Sequence, residues 1–186
     1  VAVDDTGTMT EDDSATSFTV LSNDTDTEGD TLTVSSPTIS SGDTTGTVTT
    51  DGTTVTYTPS GDFNGTTVIG YTITDDGTTN GSNDFLTDTG TLTITVSEVN
   101  DAPIANDVTA TIAEDAAQQT YPVTLSSIYA SDADSDTLTI TSAALAGDVS
   151  GSIDFSDGIN LLYTPGPDFN GVATLTYTVT DNGTTD

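Results

Sequence analysis

The chain copies itself once. Tyr57-Thr58-Pro59 returns as Tyr163-Thr164-Pro165, Asp62-Phe63-Asn64-Gly65 as Asp168-Phe169-Asn170-Gly171, and Tyr71-Thr72-Ile73-Thr74-Asp75 as Tyr177-Thr178-Val179-Thr180-Asp181, each 106 residues later. Glu11-Asp12 recurs as Glu114-Asp115, and Asp30-Thr31-Leu32-Thr33-Val34 as Asp136-Thr137-Leu138-Thr139-Ile140. A period of roughly 100 residues is the size of a domain. Whatever folds here is therefore expected to fold twice, over residues 1–99 and again over residues 100–186.

Within the first copy, apolar side chains alternate with Thr, Ser or Gly in short runs bounded by Gly, Asn and Asp, which is the spacing of half-buried strands. The runs predict strands near 6–10, 17–21, 31–36, 45–50, 53–58, 67–74 and 90–97. The clearest is Gly90-Thr91-Leu92-Thr93-Ile94-Thr95-Val96, with Leu92, Ile94 and Val96 on one face and β-branched Thr on the other. Seven such strands in about 100 residues read as an all-β immunoglobulin-like Greek-key sandwich. The second copy has counterparts of the first six strands and is expected to lack the seventh, leaving an open edge beside the sixth. Truncation of a longer array is the simpler explanation of that edge. Strand donation from an identical neighbour is the other, and would make the chain a subunit of a surface layer or fibre.

Charge is the second constraint. The 186 residues hold 30 Asp and Glu and no Lys, Arg, His or Cys, so the formal charge of −30 meets no side-chain counter-charge. Self-repulsion of this kind opposes compaction, and only the strand patterning argues against a disordered chain. Nucleic acid and anionic lipid are excluded as partners, because both need Lys and Arg to meet phosphate. No run approaches the ~20 apolar residues of a membrane span. The first residues have neither the basic nor the apolar part of a signal peptide, so the chain reads as an internal portion of something longer. Abundant Thr and dense acid fit a secreted or cell-surface protein.

Strands of a sandwich alternate in direction, so successive loops alternate between its two poles. One pole of the first copy then gathers Glu11, Asp12, Asp62 and Asn64, and the linker Glu98-Val99-Asn100-Asp101-Ala102-Pro103 leaves from there. The facing pole of the second copy gathers Asp132, Asp134, Asp136 and Asp181. Bare carboxylates crowded in this way repel one another. A hard cation reverses the sign: Ca2+ takes six to eight oxygen ligands at ~2.3–2.6 Å, whereas Mg2+ keeps its waters. The absence of His and Cys excludes the usual transition-metal sites.

Glu98-x-Asn100-Asp101-x-Pro103 resembles the linker motif of cadherins and, more closely, the Val-Asn-Asp-Ala-Pro of bacterial cadherin-like (VCBS-type) tandem repeats in giant RTX-type surface adhesins. Glu11-Asp12, Asp132-x-Asp134 and Asp181 are similar to acidic motifs of those repeats, and Tyr-Thr-Pro-x-x-Asp-Phe-Asn-Gly resembles the bacterial repeats specifically. The resemblance implies Ca2+ between neighbouring repeats of one chain, secretion, and a role in holding a binding module away from the cell. Glu98 and Ala102 depart from the cadherin pattern, which leaves the ion count open. By the same logic Asp4, Asp5, Asp24, Asp26, Asp30 and Asp75 form an N-terminal half-site, and Glu114, Asp115, Asp168 and Asn170 a C-terminal one.

Asp43, Asp51, Asp84, Asp88, Asp148 and Asp157 are read as solvated turn residues, and Asn64-Gly65 and Asn170-Gly171 as turns with φ > 0. Paired carboxylates serve glycosidases, but no Trp, His or Arg is present to hold a sugar, and a Ser-His-Asp triad needs His. The chain is not expected to be an enzyme. The long loop from Asp75 to Thr89 carries Phe85-Leu86 in polar surroundings. Packing onto the sandwich is the simpler reading of that pair, and a ligand-binding loop the alternative.

Overall fold

The computed structural model describes residues 1–107 and 111–183. It divides into two compact units, Val1–Val99 and Asn100–Thr185. The first unit contains β1 (Asp5–Thr10), β2 (Thr16–Phe18), β3 (Thr33–Ser41), β4 (Thr47–Thr50), β5 (Val55–Thr58), β6 (Gly65–Thr74), β7 (Thr78–Thr79), β8 (Ser82–Asn83) and β9 (Thr87–Ser97). Their order is β1-β9-β6-β3 in one sheet and β2-β5-β4 in the other, with β7 and β8 forming a small hairpin. β1 runs parallel to β9, while β6 is antiparallel to both β9 and β3. This is the all-β sandwich that the alternation predicts.

The alternation decides which side chains fill the space between the sheets. Along β6 and β9, Ile69, Tyr71, Ile73, Leu92, Ile94 and Val96 are all buried, and the intervening residues face outward. Burial of one such side chain stabilises by about 1.5–3 kcal/mol, which is how a chain without an internal counter-charge still collapses. The remaining buried apolar residues of this unit are Met9, Val20, Val34, Val55 and Tyr57.

The second unit contains β10 (Ile104–Ala105), β11 (Gln119–Tyr121), a 3-10 turn at Val123–Leu125, β12 (Ala130–Ser131), β13 (Thr139–Ala146), β14 (Ser152–Asp154), β15 (Leu161–Thr164) and β16 (Thr174–Thr180). Here β13 pairs with β16, and β11-β15-β14 form the opposing sheet. No strand follows β16 among the described residues. The core is thinner, comprising Val123, Ala130, Leu138, Ile140, Leu161 and Val179.

The turns differ in detail from the sequence expectation. The left-handed residue of the Asp-Phe-Asn-Gly loop is its aspartate, Asp62 at φ 58° and Asp168 at φ 56°. Asp tolerates this region because its short side chain bonds locally to the backbone. Gly65 also has positive φ, at 126°, whereas Asn64, Asn170 and Gly171 do not.

Candidate metal centre

In the second unit the loop entering β13 carries Asp132, Asp134 and Asp136, and one carboxylate oxygen from each lies within 4.8 Å of the others. The loop is shaped by its first acid: Asp132 Oδ1 accepts the N–H groups of Asp134 and Asp136, both at 3.1 Å. Ser135 between them is left-handed, φ 65°. The linker is tied in, because Asp101 N–H donates to Asp134 Oδ2 at 2.7 Å. Asp181 accepts from the Gly183 N–H at 3.2 Å, which turns the segment after β16 back over the loop. A Cβ on Gly183 would collide with Asn100 Oδ1 and Asp136 Oδ2, so only glycine lets the backbone lie against these two oxygens.

Several of these oxygens are shielded from water and accept no hydrogen bond: Asp132 Oδ2, Asp136 Oδ2 and Asn100 Oδ1. Buried acceptors are nearly always satisfied, and an unmet buried carboxylate oxygen is costly. Burial, and after it the charges of Asp132, Asp134 and Asp181, push the Asp136 carboxyl above its ordinary value. Oxygens that are shielded without donors, as Asn100 Oδ1, Asp132 Oδ2 and Asp136 Oδ2 are, beside the grouped carboxylates of Asp132, Asp134 and Asp136, are of the chemical kind that suits a hard cation.

The first unit repeats the device. Asp26 Oδ1 accepts the N–H groups of Glu28 at 3.0 Å and Asp30 at 2.9 Å, as Asp132 does for Asp134 and Asp136. Asp75 Oδ1 accepts from Gly77 N–H at 3.0 Å, as Asp181 does from Gly183. A Cβ on Gly77 would stand 2.7 Å from Asp30 Oδ2. Asp24 uses Oδ1 to accept the Val3 N–H at 2.7 Å, while its buried Oδ2 has no donor. Burial and the neighbouring Asp26, Asp76 and Asp75 raise the Asp30 carboxyl. Burial also raises that of Asp5, against the hydrogen bond donated by the Tyr71 hydroxyl and with repulsion from Asp24 and Asp4. Asp4 is exposed and accepts the Thr91 N–H at 2.9 Å. Glu28, the counterpart of Asp134, escaped the motif reading because Glu breaks the Asp-x-Asp pattern; the 106-residue offset points to it directly.

The remaining predicted acids are less assembled. Glu11 is 4% exposed; its Oε1 accepts the Val99 N–H at 2.6 Å and its buried Oε2 has no donor. Glu98 is half-buried, and Asp12 and Asp62 are exposed. In the second unit Asp115 Oδ1 accepts the Asp168 N–H at 3.1 Å, and Glu114, Asp115, Asp168 and Asn170 are all exposed.

Two residues read as solvated turn acids are buried. Asp43 and Asp148 are each 3% exposed. Asp43 accepts from the Tyr57 hydroxyl at 2.8 Å, from Ser60 N–H at 2.7 Å and Ser60 Oγ at 2.8 Å, and from Thr45 and Gly46. Asp148 mirrors it with the Tyr163 hydroxyl and the Gly166 and Gly151 N–H groups, each at 2.8 Å. Burial pushes both carboxyls up, but the donors outweigh it, and both lie below their ordinary value. The Tyr163 phenol is pushed up to about 12 by burial and by Asp148. By contrast Asp51, Asp84, Asp88 and Asp157 are exposed. Phe85 and Leu86 do not pack onto the sandwich: they are 53% and 66% exposed. Their loop is anchored at its ends, where Asp76 Oδ1 accepts the Thr31 N–H at 2.7 Å, Asp88 Oδ2 accepts the Ala2 N–H at 2.9 Å, and Leu86 N–H donates to Asp75 Oδ1 at 3.0 Å.

Among the described residues no helix is long and apolar enough to cross a membrane. No curated protein matches the sequence. Among solved structures the chain is similar to endo-fucoidan hydrolase MfFcnA4 from glycoside hydrolase family 107, at 18% identity and a TM-score of 0.35, and to a point variant of that enzyme at 18% and 0.38. The alignments cover 97% and 100% of this chain but only 28% and 26% of those chains, and likeness at this level carries no functional argument. The model of the bacterial Ig domain matches residues 1–95 and again residues 100–186. The chain therefore belongs to the bacterial Ig domain family, as a tandem of two copies.

Proposed function

We propose that this chain is a pair of calcium-dependent extender repeats of an extracellular adhesin, of the VCBS-type cadherin-like kind, and that it performs no catalysis. Bacterial Ig domains are usually extracellular or surface-exposed and typically non-enzymatic, which supports the coarser part of this reading. The observation that carries the finer part is the set of buried oxygens of Asn100, Asp132 and Asp136 that accept no hydrogen bond, in a chain with no Lys, Arg or His to meet them.

Ca2+ held by Asn100, Asp101, Asp132, Asp134, Asp136 and Asp181 would fasten the linker to the second repeat. Glu11, Asp12, Asp62 and Glu98 of the preceding repeat are the proposed further ligands, so that each filled site stiffens one joint of the array. Because only the folded state assembles the ligands, Ca2+ also stabilises folding by mass action. Small-angle scattering with Ca2+ and with EGTA tests this: the maximum dimension should rise with Ca2+, and Asp134→Ala or Asp101→Ala should abolish the rise while leaving each sandwich folded. An unchanged dimension together with an unchanged melting temperature sinks the proposal.

The exposure of Phe85 and Leu86 favours a second role, in which the loop of residues 75–89 grips a surface ligand. Deleting residues 78–88 should then abolish binding to glycan arrays or cells, and binding that persists removes the loop from consideration.

A further inference from the structure

Four Asn-Gly pairs occur in the chain, Asn64-Gly65, Asn80-Gly81, Asn170-Gly171 and Asn182-Gly183, and the fold treats them unequally. Asn182 is locked: its Oδ1 accepts the Thr137 N–H at 2.8 Å, and the following Gly183 N–H is given to Asp181 Oδ1 at 3.2 Å. Gly65 opens β6 and is paired with Val96 inside the four-stranded sheet. Gly171 has the Phe169 ring beside it, since a Cβ there would stand 3.3 Å from Cζ. Asn80-Gly81 is different. The pair forms the whole loop between β7 and β8, with φ of 55° and 78°, the left-handed conformation that a two-residue hairpin turn of this type demands. Both residues are exposed, a Cβ on Gly81 would meet nothing within 4 Å, and among the described residues no hydrogen bond holds the Asn80 amide. The hairpin beneath them is held by Thr78↔Asn83 and Thr79↔Ser82, by Asp84 N–H donating to the Gly77 carbonyl at 3.0 Å, and by Thr79 Oγ1 donating to Asp84 Oδ2 at 2.6 Å. A hairpin this small is marginal on its own, so its tip opens readily.

We propose that Asn80 is a self-modification site, at which the side-chain amide is lost through a cyclic imide. When the tip opens, the Gly81 nitrogen, deprotonated by solvent hydroxide, attacks Asn80 Cγ. The N–Cγ bond forms, the Cγ–Nδ2 bond breaks, and ammonia leaves with a proton taken from water. Water then adds to one of the two imide carbonyls. Opening on one side restores the ordinary backbone with an aspartate at position 80, and opening on the other leaves the chain running through the side chain as isoaspartate. The net exchange is water for ammonia, and no oxidant or cofactor enters. Glycine at position 81 matters because a Cβ would crowd the attacking nitrogen. Either product adds a negative charge at the tip, and isoaspartate also lengthens the backbone by one methylene, which a two-residue turn of fixed geometry cannot absorb. The loop of residues 75–89, with its exposed Phe85 and Leu86, therefore loses its hairpin with time. Any effect on ligand binding rests on the second role proposed above, whereas the chemistry at Asn80 does not.

The test incubates the intact chain at mildly alkaline pH in water labelled with heavy oxygen, then unfolds it and digests it with chymotrypsin in ordinary water, so that only amide loss during the incubation carries the label. Cleavage after Tyr71 and Phe85 isolates residues 72–85 for mass spectrometry with electron-transfer fragmentation. Asn80 should convert first, at least roughly tenfold faster than Asn182, with isoaspartate among the products. In denaturant, where all four pairs share the same local chemistry, that gap should close. Gly81→Ala should slow conversion at Asn80 in the folded chain. The order of the sites is read from the unaltered chain, so no variant's folding enters it. Another Asn-Gly pair leading, a gap that survives in denaturant, aspartate without isoaspartate, or a Gly81→Ala chain that reacts as fast as its parent would each overturn the proposal.

Discussion

Asp148 and Asp136 lie in the same repeat, and both carry carboxylate oxygens hidden from water, yet their surroundings are opposite. Asp148 receives hydroxyl and N–H donors on both oxygens and is held ionised. Asp136 has a shielded oxygen without a donor, three carboxylates for neighbours, and a raised pKa. The first arrangement is complete as folded and serves as a structural clamp. The second leaves a shielded oxygen unmet, which is costly, and it is the arrangement on which the proposed cation site rests. In an all-acidic chain, supply of donors separates acids that are satisfied in the fold from acids that are not, and acidity itself does not.

That contrast can be broken by mutation. The largest effect is expected from Asp43→Ala, which orphans the Tyr57 hydroxyl and the Ser60 N–H; denaturant unfolding in EGTA should show a loss on the order of 3 kcal/mol. If the loss is negligible, the clamp is not structural. Calcium comes next. At a hundredfold excess over its Kd it should add about 2.7 kcal/mol of stability, and Asp136→Asn should remove that gain, measured by calorimetry with and without the ion.

A smaller effect concerns acid. Asp43 and Asp148 have depressed pKa values in the fold, so the stability they contribute is present above the unfolded carboxylate value of about 3.9 and is lost as pH falls below it. An acid titration of the Asp43→Asn variant in EGTA should accordingly be flatter in that window than that of the parent chain. The smallest effect sharpens the comparison from the other side. Without Ca2+, Asp136→Asn should leave the melting temperature unchanged or raise it slightly, because it relieves repulsion. A marked fall would mean that Asp136 already has a partner.

The fold was legible because its code is local. Alternation marks strands such as Gly90-Thr91-Leu92-Thr93-Ile94-Thr95-Val96, and Asp-x-Asp-x-Asp marks a loop whose first acid collects the next two N–H groups. The Asp43 clamp was missed because an acid after glycine resembles any turn. Its donors Tyr57 and Ser60 come from β5 and the turn beyond it, and nothing local announces them. One signal was present: Gly42-Asp43-Thr44-Thr45-Gly46 and Gly147-Asp148-Val149-Ser150-Gly151 share a Gly-Asp-x-x-Gly pattern. A turn acid retained across two diverged copies, with glycines at fixed offsets, has a geometry to satisfy.

The parallel pairing of β1 with β9 has a mechanical consequence. The two strands carry the opposite ends of the first repeat, and they run side by side from Asp5↔Leu92 to Thr10↔Ser97. Tension pulling those ends apart slides one strand along the other and loads all the hydrogen bonds between them together, whereas a hairpin pulled from its open end would unzip one bond at a time. Glu11, which holds the N–H of Val99 just past that seam, adds a charged latch at the point where the load enters. If the proposed extender role holds, this seam is the part of the repeat that would resist opening by shear.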